Sequence, residues 1–245
     1  MLARRKLPKT DAVIRIDAII EACRDKRVLN IGMGGWVDDA NKGDLVLTQD
    51  ALKDGVHYRL SQVATELTGT DILQDSCDKM ARLVPGEYVQ ADLTSADFPK
   101  RFVARFDVVV FAEVLEHLDD FRTALANIRR VLDPGGQMIL TTANAYSADR
   151  IAKMLLNYEA VHEEHTAYFS YLTILRLLEM NGWAMERFDF HIEQPARNCK
   201  RSRHWLFHAM RALTRVMPQF GEGIFVIARP AKPVPKDLPT LPPRA

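Results

Sequence analysis

The sequence predicts an α/β protein: a largely parallel sheet with helices on both of its faces. Two observations carry this. Short apolar runs of β-rich composition alternate with helical periodicities along most of the chain, and the first such run, Val28-Leu29-Asn30-Ile31, opens into a glycine turn, Gly32-Met33-Gly34-Gly35. The length of 245 residues fits one large domain with or without appendages. A hydrophobic fraction of 47% with 27% charged residues is enough to bury a core and excludes disorder throughout.

Taken in order, Asp11 to Arg24 reads as a helix capped at Thr10 or Asp11. Strands follow at Arg27 to Ile31, Thr65 to Thr70, Glu87 to Ala91, Phe106 to Phe111 and Gln137 to Thr142. Between the last two, Phe121, Leu125, Ile128 and Leu132 recur at helical spacing, and Asp133-Pro134-Gly135-Gly136 ends that helix in a turn. Ser170 to Met180 is helical, Trp183 to Phe190 and Gly223 to Arg229 are strand-like, and Arg201 to Met217 carries a helical apolar pattern between them. Five early strands and two late ones make seven. We expect one domain over 1–229, with a helix at 11–24, a flap at 36–55 and a basic helical insertion at 197–220. Six of the twelve prolines fall from Pro230 onward, so 230–245 is expected to be an extended, mobile tail.

The formal net charge of +1 argues against a general nucleic-acid binder. From Arg197 onward, however, ten Lys/Arg face only Glu222 and Asp237, which leaves the rest of the chain acidic. Cys23, Cys77 and Cys199 lack CxxC spacing and read as small core residues rather than a disulfide framework or a zinc site, so no metal is expected. Apolar runs such as Val108 to Ala112 are far too short to span a bilayer, and Met1 to Thr10 has no apolar segment of a signal peptide. A soluble, cytoplasmic protein is the expectation.

The glycine turn lets the backbone approach a ligand at the carboxyl edge of the sheet, the place of a nucleotide site. Val37 occupies the third glycine position of a dinucleotide fingerprint, and no Gly-Lys-Ser/Thr follows, which disfavours pyrophosphate and triphosphate ligands. Asp71, after the second strand, suits the two hydroxyls of a ribose, or is a solvated turn residue. Asp92-Leu93, after the third, suits an exocyclic amine and a ring face, or is a helix cap.

In order and spacing these residues resemble a class I, seven-stranded S-adenosylmethionine-dependent methyltransferase over roughly residues 25 to 190. The match continues through Phe106-Asp107-Val108-Val109-Val110, Glu113-Val114-Leu115-Glu116-His117-Leu118, Val131 to Gly136 and Thr142-Ala143-Asn144-Ala145. The resemblance implies a three-layer αβα sandwich whose last strand is antiparallel, with S-adenosylmethionine as the cofactor. It implies that Gly32 and Gly34 lie against the methionine part, that Asp71 with Ile72 takes the ribose side, that Asp92 and Leu93 hold the adenine, and that Ala112 and Glu113 close the methionine side. Two departures stand out. The acid usual before the glycine loop is Asn30 here, which leaves open how the ammonium group is neutralised, and the stretch from Gly32 to Asp71 is longer than usual.

A sulfonium methyl is already activated, so the protein's task is to aim an acceptor lone pair and exclude water. If the acceptor is a hydroxyl, a histidine suits its proton. His117 and His165 are the candidate bases, with His162 beside them. The tract from Asn144 to Trp183 resembles methyltransferases of bacterial glycan and polysaccharide synthesis, which implies O-methylation of a sugar hydroxyl, with Tyr146, Tyr158, Tyr168 and Tyr171 available for stacking. A small-molecule, quinone-precursor O-methyltransferase is the alternative, since that group shares the Glu113 to Leu118 pattern. A binding module without turnover and a nicotinamide dehydrogenase are further readings. The partner expected is therefore a glycan or small-molecule acceptor, with no nucleic acid. Peripheral membrane contact through the helix containing Arg201, His204, Trp205, His208, Arg211 and Arg215 competes with simple packing of that helix.

Overall fold

Apolar runs buried on both sides build the centre of the molecule. In the computed structural model, which describes residues 6–34, 53–159, 161–195 and 201–231, Val28 and Leu29 of the first long strand are both fully buried, as are Val109, Val110 and Phe111. A strand reads this way when helices cover both faces of its sheet. Odd and even residues divide between two cores: Leu29, Ile31, Val109, Phe111 and Leu140 pack on one face, Val28, Val108, Val110 and Ile139 on the other.

The strands are β1 (Ala12–Ile14), β2 (Arg27–Ile31), β3 (Glu66–Asp71), β4 (Glu87–Gln90), β5 (Phe106–Ala112), β6 (Leu132–Ala143), β7 (Trp183–Ile192) and β8 (Gly223–Pro230). They lie in the order β1-β7-β8-β6-β5-β2-β3-β4. All pairings are parallel except those of β8, which runs antiparallel to β6 and β7. The helices are α1 (Arg15–Cys23), α2 (Val56–Ser61), α3 (Gln74–Leu83), α4 (Phe121–Val131), α5 (Ala148–Leu155), α6 (Tyr171–Met180) and α7 (Arg201–Val216). Asp120 caps α4 by accepting from the Thr123 N–H, and Ser170 with Thr173 forms a capping box on α6.

The α/β class and the antiparallel last strand agree with expectation; the strand count does not. There are eight strands, because the segment expected to begin a helix at Asp11 first runs parallel to β7, with Ala12 opposite Phe190 and Ile14 opposite Ile192. Thr10 is no helix cap. Its hydroxyl lies 2.6 Å from Asp189 Oδ1 and 2.9 Å from the Phe188 carbonyl, which draws the chain alongside β7. Cys23 and Cys77 are buried core residues without a disulfide. Most of the expected flap at 36–55, Cys199 and the tail from 232 lie outside the described residues. Among the described helices none is long and apolar enough to cross a membrane.

Candidate functional site

Successive strands step outward from β2 to β3 and β4, whereas β5, on the other flank of β2, leads to β6 and the late strands. Ligands of open α/β sheets sit at the carboxyl ends where this reversal occurs. The chain leaves β2 there through Gly32, at φ +68°, whose N–H bonds to the Thr70 carbonyl at 2.9 Å. A Cβ on Gly32 would lie 2.4 Å from Val114 Cγ2, and one on Gly34 would lie 2.5 Å from Ser76 Cβ, so both positions require glycine for close approach.

Asp71 ties this turn to β3. One carboxylate oxygen accepts from the Gly34 N–H at 3.1 Å and the other from the Leu73 N–H at 3.0 Å, and a carboxylate keeps further lone pairs for hydroxyl donors. Ile72 and Leu73 beside it are 58% and 54% exposed, an apolar ledge at the strand end. The Ala91 N–H bonds to the Asp71 carbonyl at 2.9 Å, bringing Asp92 next in line. Gly34, Asp71 and Asp92 thus converge on one edge, across three neighbouring strands. Asp92 Oδ1 accepts from the Thr94 N–H and hydroxyl at 2.8 and 2.7 Å, forming a turn. Leu93 is 6% exposed and packs within the core. The exposed apolar surface comes from Ile72 and Leu73.

Asn30 is buried, and its amide lies 3.1 Å from Nδ1 of His57, a residue sequence reasoning missed. His57 Nε2 meets the Tyr88 hydroxyl at 3.1 Å, and that hydroxyl donates to the Val84 carbonyl at 2.7 Å. The chain of donors runs one way: Asn30 donates to Nδ1, and Nε2–H donates to Tyr88. Burial lowers the His57 pKa to about 4, so the imidazole is neutral. An amide at position 30 matches a neutral imidazole; a carboxylate would face an acceptor.

At the end of β5, Ala112 leads into Glu113, which adopts φ +53°, a backbone state uncommon outside glycine and a frequent mark of functional turns. Glu113 Oε1 lies 3.5 Å from Nε2 of His191, on β7. His191 is 2% exposed, and neither of its ring nitrogens has a hydrogen-bond partner among the described residues. Burial would push the Glu113 carboxyl up, but His191 and Arg15 outweigh it and hold it down at about 2. Glu116, three residues on, goes the other way: burial and the Glu113 charge raise it to about 8. Its oxygens accept from the Thr142 hydroxyl at 3.0 Å and the Ala143 N–H at 3.3 Å.

The segment before α6 folds back over this edge. The Thr166 N–H bonds to the Glu116 carbonyl at 2.8 Å and its hydroxyl to the Leu118 carbonyl at 2.6 Å. That pinning brings both candidate bases together: the His117 and His165 rings are 4.6 Å apart, with His162 at 5.1 Å from His165. His165 Nδ1 lies 3.2 Å from the Tyr168 hydroxyl, and the Arg150 guanidinium stacks 4.6 Å over the Tyr168 ring. Burial, then the neighbouring His117 and His162, lowers the His165 pKa.

Residues 43–187, more than half of the chain, match the family model of a methyltransferase domain. The chain belongs to this methyltransferase family. Its sheet order, with the late antiparallel strand, is the fold of these S-adenosylmethionine-dependent enzymes. Among curated relatives, the ubiquinone biosynthesis O-methyltransferase of Proteus mirabilis (strain HI4320) is 26% identical over 127 residues, 49% of this chain and 42% of that protein. The enzyme of the same name from Aromatoleum aromaticum is 30% identical over 123 residues, covering 49% and 44%. The chain therefore spans about half the length of the curated relatives it matches. Magnesium protoporphyrin IX methyltransferase from Synechocystis PCC 6803, solved with bound S-adenosylhomocysteine, shares the fold with a TM-score of 0.54 at 13% identity, over 87% of this chain and 81% of that one.

His57 and His191 gave no motif signal, and Glu116 lay within the Glu113 to Leu118 pattern without being singled out. For His191 a faint one existed: Asp189 and His191 alternate with Phe188, Phe190 and Ile192, placing two polar groups on one face of a buried strand.

Proposed function

We propose that this methyltransferase transfers a methyl group from S-adenosylmethionine to a hydroxyl oxygen on a small aromatic acceptor of the quinone-precursor kind. The observation that carries the reading is the cluster of His117, His162 and His165 against the carboxyl edge of the sheet, beside the turn where the donor is expected. A hydroxyl is a poor nucleophile until it loses its proton, and His165, with its lowered pKa, is neutral and able to accept one near pH 7. The names of the relatives support the same acceptor class.

The residues present fit the donor. Asp71, whose carboxylate orders the turn through the Gly34 and Leu73 amides, would lie beside the ribose hydroxyls as their acceptor, and Ile72 and Leu73 offer the apolar ledge an adenine needs. Gly32 and Gly34 bring backbone close to the methionine part, and Ala112 with Glu113 bounds that side. When bound, S-adenosylmethionine supplies a methyl group on a positively charged sulfur, ready for attack without a metal ion. The chain's own work is then to orient the acceptor and take its proton. The Tyr168 hydroxyl, 3.2 Å from His165 Nδ1, fixes the imidazole, and Arg150 braces Tyr168 by stacking. In the tautomer whose Nδ1–H donates to the Tyr168 oxygen, Nε2 carries the lone pair that takes the acceptor proton.

The test is methyl transfer from labelled S-adenosylmethionine to ortho-hydroxylated phenols and, separately, to sugar hydroxyls. Methylation of phenols alone is expected. Methylation of sugars alone overturns the acceptor class, and tight binding of S-adenosylhomocysteine with transfer to neither class returns the chain to a binding module.

A further inference from the structure

The donor's methionine end carries an ammonium group, and the position before the glycine loop, where its countercharge is expected, holds a neutral amide. The pairing of Asn30 with a buried, neutral His57 explains why no carboxylate stands there. The charge has to come from elsewhere on the same edge. Among the described residues four acids stand at this edge, and one of them, Asp92, is turned onto the Thr94 N–H and hydroxyl at the far strand β4. Asp71 is committed through both oxygens to the Gly34 and Leu73 amides, on the ribose side of the turn. Glu116 is fully buried, holds its proton up to about 8, and gives both oxygens to Thr142 and Ala143. Glu113 remains.

We propose that Glu113 supplies the negative charge facing the donor's ammonium group, taking the part an acid on β2 would otherwise play. Three features of the geometry carry this. Glu113 directly precedes Val114, whose Cγ2 packs on Gly32, so its place is beside the glycine turn on the methionine side. Its left-handed backbone at φ +53° is a strain that only the surrounding structure sustains, and it fixes where the side chain leaves the strand end. Its carboxylate is divided: Oε1 is buried toward His191 and makes no hydrogen bond among the described residues, while the side chain as a whole is 36% exposed at the edge. Arg15, ion-paired with Glu193, and the imidazole of His191 stand behind it and favour the ionised form. A carboxylate in this state still has open lone pairs, and a cationic donor satisfies them.

The inference rests on the cofactor pocket proposed above, and the experiment separates the two. Titration calorimetry on the full chain compares S-adenosylhomocysteine with its des-amino analogue, which keeps the nucleoside, the sulfur and the carboxylate. For the wild type, the amino ligand is expected to bind about 10- to 100-fold more tightly, the worth of a charge-assisted hydrogen bond. Glu113→Gln is expected to erase that preference, weakening S-adenosylhomocysteine by the same factor while the analogue binds as before or more tightly. Asp71→Ala is expected to weaken both ligands. If Glu113→Gln leaves both affinities unchanged, or lowers both equally, while Asp71→Ala weakens both, the countercharge assignment is wrong and the pocket stands. If wild type binds neither ligand, the pocket falls and takes the inference with it. Should Glu113→Gln fail to fold, Glu113→Asp, which draws the charge back by one methylene, is expected to weaken the amino ligand alone; equal weakening of both overturns the proposal.

Discussion

Strand β5 carries an acid at each end, Asp107 where it enters the sheet and Glu113 where it leaves, and the fold treats them in opposite ways. At the entry, Arg27 grips Asp107 three times: its backbone N–H reaches Oδ2 at 2.9 Å, Nε the same oxygen at 3.2 Å, and Nη2 reaches Oδ1 at 2.8 Å. The same guanidinium also binds Asp133 at the start of β6. Hydrogen bonding to Arg27 holds the Asp107 carboxyl below its usual range. At the exit, Glu113, Thr141 and His191 bury polar atoms that no described protein group satisfies. Native structures rarely leave such groups unpaired without a reason. The saturated end of the strand is architecture; the unsaturated end is the edge of the candidate site.

This contrast predicts that replacing a group poised toward the acceptor changes chemistry, whereas replacing a group already saturated by protein bonds changes stability. The largest effect belongs to the exit. His165→Ala is expected to lower turnover by about 10²- to 10⁴-fold, the usual worth of a general base, with S-adenosylhomocysteine affinity retained in calorimetry; full activity on an authentic acceptor would move the base elsewhere. In the wild type, the acid limb of the pH–rate profile is expected below 6.5, because His165 is shifted down and is protonated only there. Asn30→Asp comes next. It sets a carboxylate against His57 Nδ1, and a switch of tautomer would cost the bond to Tyr88, whose proton is given to Val84, so denaturant melts should show a loss of about 1–3 kcal/mol, the cost of an unsatisfied buried group.

At the entry, Arg27→Ala leaves Asp107 and Asp133 without their shared cation and is expected to lower Tm by several degrees with kcat and KM unchanged; altered kinetics would erase the distinction between the two ends. The smallest effect is expected from Glu116→Gln. The raised Glu116 pKa makes its contribution to stability complete below 4.5, where folded and unfolded chains both hold the proton, and lost as pH rises through about 8. Glutamine stays neutral at every pH, its one oxygen accepting from the Ala143 N–H and its amide donating to the Thr142 hydroxyl oxygen, so the decline in Tm between those values should flatten. Glu113 acts in the opposite sense: its contribution is present above 4.5 and fades as pH falls toward about 2.

Local pattern was enough for much of this. The apolar runs of β2, β5 and β6, the helix spacing of Phe121, Leu125 and Ile128, and the glycines at 32 and 34 are properties of neighbouring residues, and hydrophobic period and backbone freedom read them directly. The ordered series of the glycine turn, Asp71 and Asp92 named the family before any coordinate. Burial was harder to read. Leu93 has the sequence of a ring cover and the position of a core residue, because the turn at Asp92 and Thr94 sends its side chain inward.

What the sequence by itself determined is the α/β class, which follows from periodicity, and, through the resemblance of its ordered motifs to a known family, the chemistry of a methyl transfer and the edge expected to hold the candidate site. Tertiary structure alone decided the eighth strand, the partner of Asn30, the meeting of His117 with His165 and the charge state of Glu113. Each of these joins residues far apart in the chain: Thr10 with Asp189, Asn30 with His57, Glu116 with Thr166, Glu113 with His191. A burial or a pKa is set by whichever groups the folded sheet brings alongside, and no window of neighbouring residues contains them.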